Sequence, residues 1–352
     1  MIIIKKILSM ILKNGLFYTL NHISLRIKDK IYSDYLNRNL IKNSQNIKCP
    51  LILITQIQRS GGTLLSQLFD GHPEIYAYPN ELTIWEPKWQ LNFLENNFNK
   101  INNNYVKYFA LNSEYSKESK SKWNKTYPFY FNLIAQIKIF KKYSLKKKSQ
   151  RKILNAYFSS FFSAWINYKN NSKNKKYISA FIPRVNLNKK SLEYFFRNYP
   201  DGKLITIVRD PLDWLASAKI HDPKNYSNFE NALNLWKKST LASLKLAKQN
   251  KVIAVAFYDL IKNTDKVIKK ICIKLNLKHD KILLQPTFNN DPIMSDSSFK
   301  SVEGKIDKKT LSRKTKSFNK RELSNLKKIS KLVRECEKLY KRFLKLNSIK
   351  YN

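Results

Sequence analysis

The stretch that decides the fold is LILITQIQRSGGTLLSQLFDGHPEIYAYPNEL, residues 51–82. It begins with an apolar run typical of a buried strand and passes through a turn of small and polar residues. It then continues with leucine and phenylalanine at helical spacing. Strand, glycine-containing turn and helix build a phosphate-binding loop, because backbone amides and the positive end of the helix face the anion. The stretch therefore predicts an anion site at the turn.

The side chains of the turn support this prediction. Gly61 and Gly62 let the backbone approach an anion closely, while Ser60 and Thr63 add hydroxyl donors. Arg59 offers a planar fork that matches phosphate or sulfate oxygens. The alternative is a tight strand-to-helix turn that holds no ligand, which small residues alone would favour. The arginine and the two hydroxyls shift the interpretation towards anion binding.

The turn departs from the loop of a magnesium-dependent nucleotidase, which disfavours that function. Such a loop needs GxxxxGK followed by Ser or Thr. Here Thr55 or Gln56 takes the position of the first glycine, and no lysine follows Gly62. The aspartate expected to hold magnesium is also missing at a strand end, because Arg209 follows the strand and Asp210 is better placed as a helix N-cap.

The rest of the chain alternates strands and helices, which predicts an α/β fold with a parallel sheet covered by helices on both faces. Further strands are predicted at 177–183, 204–208 and 252–257. Helices are predicted at 153–168, from 211, at 228–249, 262–275 and 321–345. The fold class is thus a P-loop-like, three-layer α/β fold.

Three regions are expected along the chain. Residues 1–48 are interpreted as a helical N-terminal lead-in, and residues 49–345 as one domain. Within that domain, residues 85–175 are polar, aromatic and rich in Lys and Asn, and we interpret them as a helical insertion.

The net charge of +42 suggests a nucleic-acid partner, but the composition favours another interpretation. The 56 lysines far outnumber the 11 arginines and are scattered along the whole chain. A solvated lysine surface is therefore favoured over a nucleic-acid face. Three separated cysteines and four histidines without ligand spacing predict no disulfide scaffold and no metal site, as in a reducing, cytoplasmic protein.

The N-terminus raises a membrane question. Its longest uncharged apolar stretch, residues 7–12, is too short to span a bilayer, and no cleavage site of a signal peptide follows. Within residues 2–13 the apolar side chains fall on one helical face, with the lysines elsewhere. Such a face can rest on anionic lipid as a peripheral contact, or it can pack on its own protein, which is the more frequent outcome.

A second set of residues leaves the strand at 204–208. Arg209 ends this strand, and Ser217 lies about two turns into the helix that Asp210 caps and Pro211 begins. A cation and a hydroxyl there can converge on a second anionic group. Alone, such a pair is common and weak.

Together these segments resemble the sulfotransferases that use 3′-phosphoadenosine 5′-phosphosulfate (PAPS). The sequence RSGGT (59–63) resembles the family's 5′-phosphosulfate loop, and DGHPEI (70–75) resembles bacterial and protein-tyrosine members. KLITIVRDPLDWLAS (203–217) resembles the 3′-phosphate motif, with its arginine and serine eight residues apart. FYDLIKNTDKVIKKICIKLNL (257–277) resembles the segment that follows. The matches lie in order over about residues 50–277.

The resemblance implies sulfuryl transfer without a metal, with PAPS as the donor. Arg59 would be catalytic, stabilising the bridging oxygen as the nucleotide leaves, and Arg209 with Ser217 would hold the 3′-phosphate. Tyr258 would line the nucleotide pocket. The implied cofactor-binding residues are Arg59, Ser60, Gly61, Gly62, Thr63, Leu64, Arg209, Ser217 and Tyr258.

The general base has two candidates, since family members use a glutamate or a histidine. Glu81 lies close to where protein-tyrosine and many bacterial members have an acidic residue, and we favour it. Its alternative is a charge at a helix N-terminus near Asn80. His221 is the second candidate, whereas His72 before Pro73 is expected to cap its turn structurally.

The chain also departs from the family's pattern. A Lys-x-Pro often precedes the second motif in bacterial members, and here Arg184 follows Pro183 instead. The Arg-Lys-Gly loop of cytosolic members is not found in that form. In its place Ser298, Phe299 and Lys300 are weak candidates for nucleotide contacts.

The sequence thus predicts a sulfotransferase that moves a sulfuryl group from PAPS to a hydroxyl or amine, with a saccharide or glycan as the favoured acceptor. A peptide or small metabolite also fits, and no nucleic acid is expected as a partner. Two other functions stay open. One is a magnesium-dependent nucleotide kinase or nucleotidase of related fold, and the other is an inactive basic protein that binds nucleic acid or a membrane surface.

Overall fold

A computed structural model describes most of the chain. The described residues are 9–13, 15–82, 111–112, 129–144, 149–293, 302–312 and 317–347. The strands are β1 (Leu51–Thr55), β2 (Ile75–Glu81), β3 (Leu111–Asn112), β4 (Phe129–Tyr130), β5 (Tyr177–Phe181), β6 (Lys203–Val208), β7 (Val252–Ala256), β8 (Thr287–Phe288) and β9 (Asp291–Pro292). The helices are α1 (Leu16–Lys42), α2 (Gly62–Phe69), α3 (Leu133–Ser144), α4 (Gln150–Ala164), α5 (Lys189–Asn198), α6 (Pro211–His221), α7 (Pro223–Tyr226), α8 (Phe229–Leu246), α9 (Phe257–Lys262), α10 (Thr264–Leu275), α11 (Lys320–Lys328) and α12 (Ser330–Asn347).

The centre of the molecule is a five-stranded sheet with the order β2-β5-β1-β6-β7. All of its neighbouring strands pair in parallel. The chain leaves β1 towards β2 on one side and later crosses from β5 to β6 on the other side. The carboxyl end of β1 is therefore the point where the strand order reverses, and ligands bind at such points in open α/β sheets.

Alternate residues of β1 enter two different hydrophobic cores, as the period of two in a strand requires. Leu51 and Leu53 pack into a core with α4 and α5, and Ile52 and Ile54 into a core with α2 and α10. Every residue of β1 is buried, so the strand is covered on both faces. This confirms the predicted α/β fold, with a central parallel sheet between helical layers.

Strand β2 was not among the predicted strands. It contains Pro79, which lacks the N–H needed for a sheet hydrogen bond, and its pairing with β5 shifts in register between Ala77 and Glu81. Proline is tolerated in a sheet at edge strands and bulges, and β2 is an edge strand. The proline makes the local sequence resemble a turn. The sheet accepts it in a strand because that strand lies at the edge.

Several predicted bounds change in the structure. The N-terminal helix α1 ends at Lys42 instead of near 48, and β7 ends at Ala256, so that a separate helix, α9, begins at Phe257. The tail is two helices, α11 and α12, instead of one. In the predicted insertion 85–175 the structure describes α3, α4 and the short strands β3 and β4, while the division into lead-in and inserted domain stays a prediction.

The N-terminal segment that raised the membrane question lies partly outside the described residues, because residues 1–8 and 14 are not described. Residues 9–13 are helical, and Gly15, at φ 84°, separates them from α1. The predicted peripheral contact through residues 2–13 stays a prediction. Among the described helices, none has the length and apolar character that crossing a membrane requires.

Candidate functional site

The turn after β1 has a special backbone conformation. Arg59 lies at φ 68° and Gly61 at φ 106°, both in the left-handed region that favours glycine. A side chain at Gly61 would overlap the ring of Phe257, which follows β7. The turn therefore needs glycine at this position, and Phe257 packs directly on its backbone.

Gln56 fixes the next part of the turn. Its side-chain oxygen can accept a hydrogen bond from the Gly62 amide at 3.1 Å, while its nitrogen donates to the Thr55 carbonyl at 3.1 Å. A Cβ at Gly62 would overlap Gln56 and come within 2.6 Å of Phe181. The amides of Thr63 and Leu64 belong to the first turn of α2, whose N–H groups have no intrahelical acceptor. These are the amides that the helix can offer to an anion.

The two predicted motifs meet at this turn. Nε of Arg59 donates to Oγ of Ser217 at 3.3 Å, across 158 residues of sequence. Nη1 of Arg209 donates to the carbonyl of Arg59 at 3.2 Å. Two guanidinium groups and a buried hydroxyl thus lie together at the carboxyl ends of β1 and β6. This is a concentration of positive charge with planar donors, which suits an anionic ligand.

Arg209 is itself deeply placed, with 4% of its surface exposed. Its second terminal nitrogen donates to the Thr310 carbonyl at 3.2 Å, and its guanidinium lies 4.8 Å from the centre of the Phe257 ring. A guanidinium over an aromatic face is stabilised by the ring quadrupole. The segment 302–312 therefore contacts the second motif directly.

Helix α6, which carries Ser217, is fixed at its N-terminus. The Asp210 carboxylate accepts from the amides of Leu212 at 3.0 Å and Asp213 at 3.1 Å, as the predicted N-cap requires. Nε1 of Trp214 donates to the carbonyl of Gln58 at 2.8 Å. This indole holds the turn against the helix, and so sets where Arg59 meets Ser217.

Arg184 lies beside the turn on its other side, after β5. Its backbone is at φ 65°, and its amide donates to the Gln56 carbonyl at 2.8 Å. Nε donates to the Gln58 side chain at 2.6 Å, and Nη2 to the Tyr226 hydroxyl at 2.9 Å. A third cation therefore borders the turn, directly after Pro183, whereas Phe181 takes the position of the lysine in the Lys-x-Pro pattern.

Glu81 is the last residue of β2 and pairs with Phe181 of β5. The alternative of a charge at a helix N-terminus stays open, because residues 83–110, which follow the strand, are not described. Two strand spacings separate it from β1, which corresponds to about 10 Å. At the carboxyl edge of the sheet, Glu81 and Arg209 thus lie on opposite sides of the turn after β1.

The two histidines near the motifs differ in environment. His221 is exposed at the C-terminus of α6, one turn beyond Ser217. His72 is fully buried; one ring nitrogen hydrogen-bonds the Lys278 carbonyl at 2.8 Å, and the other accepts from the Glu74 amide at 3.2 Å. Burial lowers the pKa of His72. These contacts match the structural role predicted for His72.

Tyr258 is the second residue of α9, next to Phe257, and is 40% exposed. Its hydroxyl accepts a hydrogen bond from Lys262 of the same helix at 3.0 Å. Its neighbour Phe257 packs on the turn and on Arg209, which places Tyr258 near the site. Arg59 is in direct contact with both Ser217 and Arg209. The predicted candidates Ser298, Phe299 and Lys300 lie outside the described residues.

Sequence reasoning missed the residues that contact the turn and Arg209 and hold them in place. Phe257 contacts both Gly61 and Arg209, and Trp214 anchors the turn. Trp214 is in the first turn of a helix at the carboxyl edge of the sheet, so its position could have been found, whereas an aromatic residue that follows a buried strand, as Phe257 does, is usually part of a core. Thr310 acts through its carbonyl group, which leaves no signal in the sequence.

The fold and the turn after β1 define an α/β protein of the P-loop-like class. The profile of the sulfotransferase family matches residues 50–281. No curated protein sequence matches the chain with significance. The chain belongs to the sulfotransferase family, and its fold and two motifs lie within the matched residues.

The solved structures that are similar to this chain are distant in sequence. The sulfotransferase domain of the Synechococcus PCC 7002 olefin synthase is 18% identical, with 85% of this chain and 97% of that one covered and a TM-score of 0.48. The sulfotransferase domain from the curacin biosynthetic pathway is 16% identical, with 81% and 99% covered and a TM-score of 0.45. Mouse sulfotransferase SULT7A1, solved with PAP, is 13% identical, with 89% and 91% covered and a TM-score of 0.39.

Proposed function

We propose that this sulfotransferase transfers a sulfuryl group from PAPS to a hydroxyl or amine of an acceptor, with a glycan as the favoured acceptor class. The observation that carries the proposal is the contact between the two motifs. Arg59, Ser217 and Arg209 come from segments more than 100 residues apart and are joined by hydrogen bonds at the switch point of the sheet. PAPS offers two anionic groups, the 5′-phosphosulfate and the 3′-phosphate, which fit two such motifs.

In this proposal the turn holds the phosphosulfate through Ser60 and the amides up to Leu64. In the same proposal Arg59 stabilises the oxygen that bridges phosphorus and sulfur. The bond from sulfur to this oxygen breaks, and the nucleotide leaves as adenosine 3′,5′-bisphosphate. Positioning and charge stabilisation supply such catalysis, as in phosphoryl transfer. No metal is required in this scheme.

The acceptor side of the site is assigned to Glu81. The acceptor oxygen attacks sulfur and loses its proton to the base, which has to lie within hydrogen-bond reach. Glu81 lies on the side of the turn away from Arg209. In this proposal, nucleotide and acceptor approach from opposite ends of the sheet edge. His221 lies on the helix of Ser217 and is the competing base.

The nucleotide site is tested by calorimetry with adenosine 3′,5′-bisphosphate. We expect binding that weakens by about tenfold or more in Arg209→Ala, since a charged hydrogen bond to phosphate is lost. Adenosine 5′-phosphate is the matched control, because it lacks the 3′-phosphate and its weaker binding should be the same in both proteins. Absence of bisphosphate binding in the wild-type protein would overturn the proposal.

The acceptor is tested with PAPS labelled in its sulfur and a panel of saccharides, peptides and small hydroxyl compounds. We expect more transfer to saccharides than to the other classes.

We propose a cytoplasmic location with a peripheral membrane contact through residues 2–13, and no nucleic-acid partner. Turnover of ATP with magnesium, or affinity for nucleic acid that falls steeply with salt, would favour the other functions instead.

A further inference from the structure

Helix α1 shows two different apolar faces along its length. At about 100° per residue, Leu16, Leu20, Ile27 and Ile31 fall within about 60° of one another. Leu36 and Leu40, in the second half, fall on the opposite face. The apolar side of the helix therefore changes near residue 32, and the surroundings of the two halves have to be described separately.

The second half of α1 packs on the protein itself. Leu36 and Leu40 line a cavity together with Tyr76, Phe162 and Trp165. Asn37 is buried, and the helix contacts α3 and α4. This half docks α1 onto the body of the molecule, and the contact covers its apolar side.

The first half of α1 leaves most of its apolar side exposed. Leu16, Leu20, Ile27 and Ile31 are each more than half exposed, and so is the neighbouring Phe17, at 86%. We call the four aliphatic residues the α1 stripe. It extends over 15 steps of the helix, about 22 Å. An apolar stripe of this length facing solvent indicates a binding surface.

Basic side chains border the α1 stripe. Arg26 and Lys30 lie on one flank and Lys28 on the other, and Lys13 precedes the helix. All four are exposed. An apolar stripe bordered by lysine and arginine lies in the interface of an anionic bilayer, where the stripe enters the acyl boundary and the cations meet the headgroups.

A second copy of the chain fits the stripe less well. The apolar spacing at 16, 20, 23 and 27 continues a heptad pattern, but Lys30 and Asp34 take the next two positions. Fewer than two heptads do not sustain a coiled coil. In addition, two chains of net charge +42 repel each other, whereas an anionic surface attracts both.

We propose that residues 13–31 of this chain form an interfacial anchor that holds the enzyme on anionic lipid bilayers. The surface is distinct from the sulfuryl-transfer site and, apart from the shared Lys13, from the predicted contact at residues 2–13. It is continuous with the body through the second half of α1, so the anchored protein keeps a fixed connection to its sheet.

The test is flotation of the full chain with vesicles of phosphatidylcholine, with and without phosphatidylglycerol. We expect binding to the anionic vesicles, with weaker binding at high salt, and about tenfold or greater loss of binding in Leu20→Ser/Ile27→Ser. The matched control is Leu25→Ser/Tyr32→Ser, which removes two exposed apolar side chains from the other side of α1 and should bind as the wild type does. Arg26→Glu/Lys30→Glu should also lose binding, specifically to anionic vesicles.

Three results would overturn the proposal. One is equal loss of binding in the two serine double variants, and another is equal binding to neutral and anionic vesicles. The third is a dimer in analytical ultracentrifugation that Leu20→Ser/Ile27→Ser dissociates, with no vesicle binding by the wild type. Because the substituted positions are exposed, unchanged melting temperatures are expected, and they separate lost binding from lost folding.

Discussion

Arg59 combines a strained backbone with a side chain that reaches the second motif. Its φ is 68°, its Nε donates to Ser217 of α6, and its carbonyl accepts from Arg209. The residue therefore fixes both the turn and the charge at the site. Strain of this kind is concentrated at functional positions.

Replacement of Arg59 should stop catalysis without unfolding the protein. For Arg59→Ala we expect kcat to fall by at least about 100-fold, because the charge on the bridging oxygen is then no longer stabilised. Arg59→Lys should recover part of the activity, since a point charge remains but the planar fork is lost. The measurement is transfer of labelled sulfur at saturating PAPS. Full activity of the alanine variant would remove Arg59 from the mechanism.

The two candidate bases, Glu81 and His221, can be distinguished by replacing each with an amide side chain that cannot act as a base. We expect Glu81→Gln to lower kcat by about 100-fold or more and to leave the affinity for adenosine 3′,5′-bisphosphate unchanged. His221→Asn should keep most of its turnover. The reverse pattern of the two variants would assign the base to His221. Steady-state kinetics with the best acceptor of the panel, with bisphosphate calorimetry alongside, make the comparison.

At the residue scale the sequence predicted the polar contacts better than the packing that supports them. Arg59, Arg209 and Ser217 could be chosen from their motifs and the family resemblance that these carry, and the structure joins Arg59 to each of the other two. Phe257 could not, because an aromatic residue after a strand is usually part of a core. Its contact with Gly61 becomes visible only when β7 and β1 are placed in one sheet.

At the scale of elements, the N-terminus of α6 shows strong agreement between sequence and structure. Asp210, with proline following it, predicted the start of the helix, and the carboxylate accepts from two amides of the first turn. The strand β2 shows the opposite case. Its proline and asparagine suggest a turn, and only its position at the sheet edge makes a strand acceptable.

The cap of α6 gives a prediction about stability. Asp210→Ala should lower the free energy of unfolding by about 1 kcal/mol, because two amides at the helix start lose their acceptor. Asp210→Asn should retain most of it, since the amide oxygen can accept the same bonds. Urea unfolding followed by circular dichroism measures both. A loss in the asparagine variant equal to that in the alanine variant would show that the carboxylate charge matters more than the cap.

At the scale of the whole molecule, the alternation of strands and helices was enough to predict the sheet and its helical layers. The strand order was not predictable, because it depends on crossovers that leave no local pattern. The order places Glu81 and Arg209 on opposite sides of one turn. The positions of Glu81 and Arg209 along the sheet edge therefore follow from the topology.

Lys175 links the stability of the whole fold to pH. Its ammonium group donates to the Ile75 carbonyl at 2.9 Å and lies 5.1 Å from the centre of the Tyr76 ring. Burial lowers its pKa to about 7, against the opposing effects of Asp70 and Cys49. Between pH 7 and the ordinary lysine pKa near 10.5, the unfolded chain binds the proton and the folded one does not. Stability from this group therefore rises with pH through that range.

We expect the wild type to gain melting temperature relative to Lys175→Met as the pH is raised from about 7 to about 9.5. The slope is at most about 1.4 kcal/mol per pH unit, and partial solvent contact makes it smaller. Lys190→Met, at an exposed lysine, is the matched control and should follow the wild type. Parallel curves for wild type and Lys175→Met would contradict the assignment.

The buried guanidinium of Arg209 has a consequence for local opening of the fold. It joins the turn after β1 to the segment 302–312, across 150 and 101 residues of sequence. When the segment detaches, the turn loses its support at the same moment, so the two should exchange their amide hydrogens as one cooperative unit. A nucleotide bound at the turn would then slow hydrogen exchange in a stretch of chain near the C-terminal end of the protein.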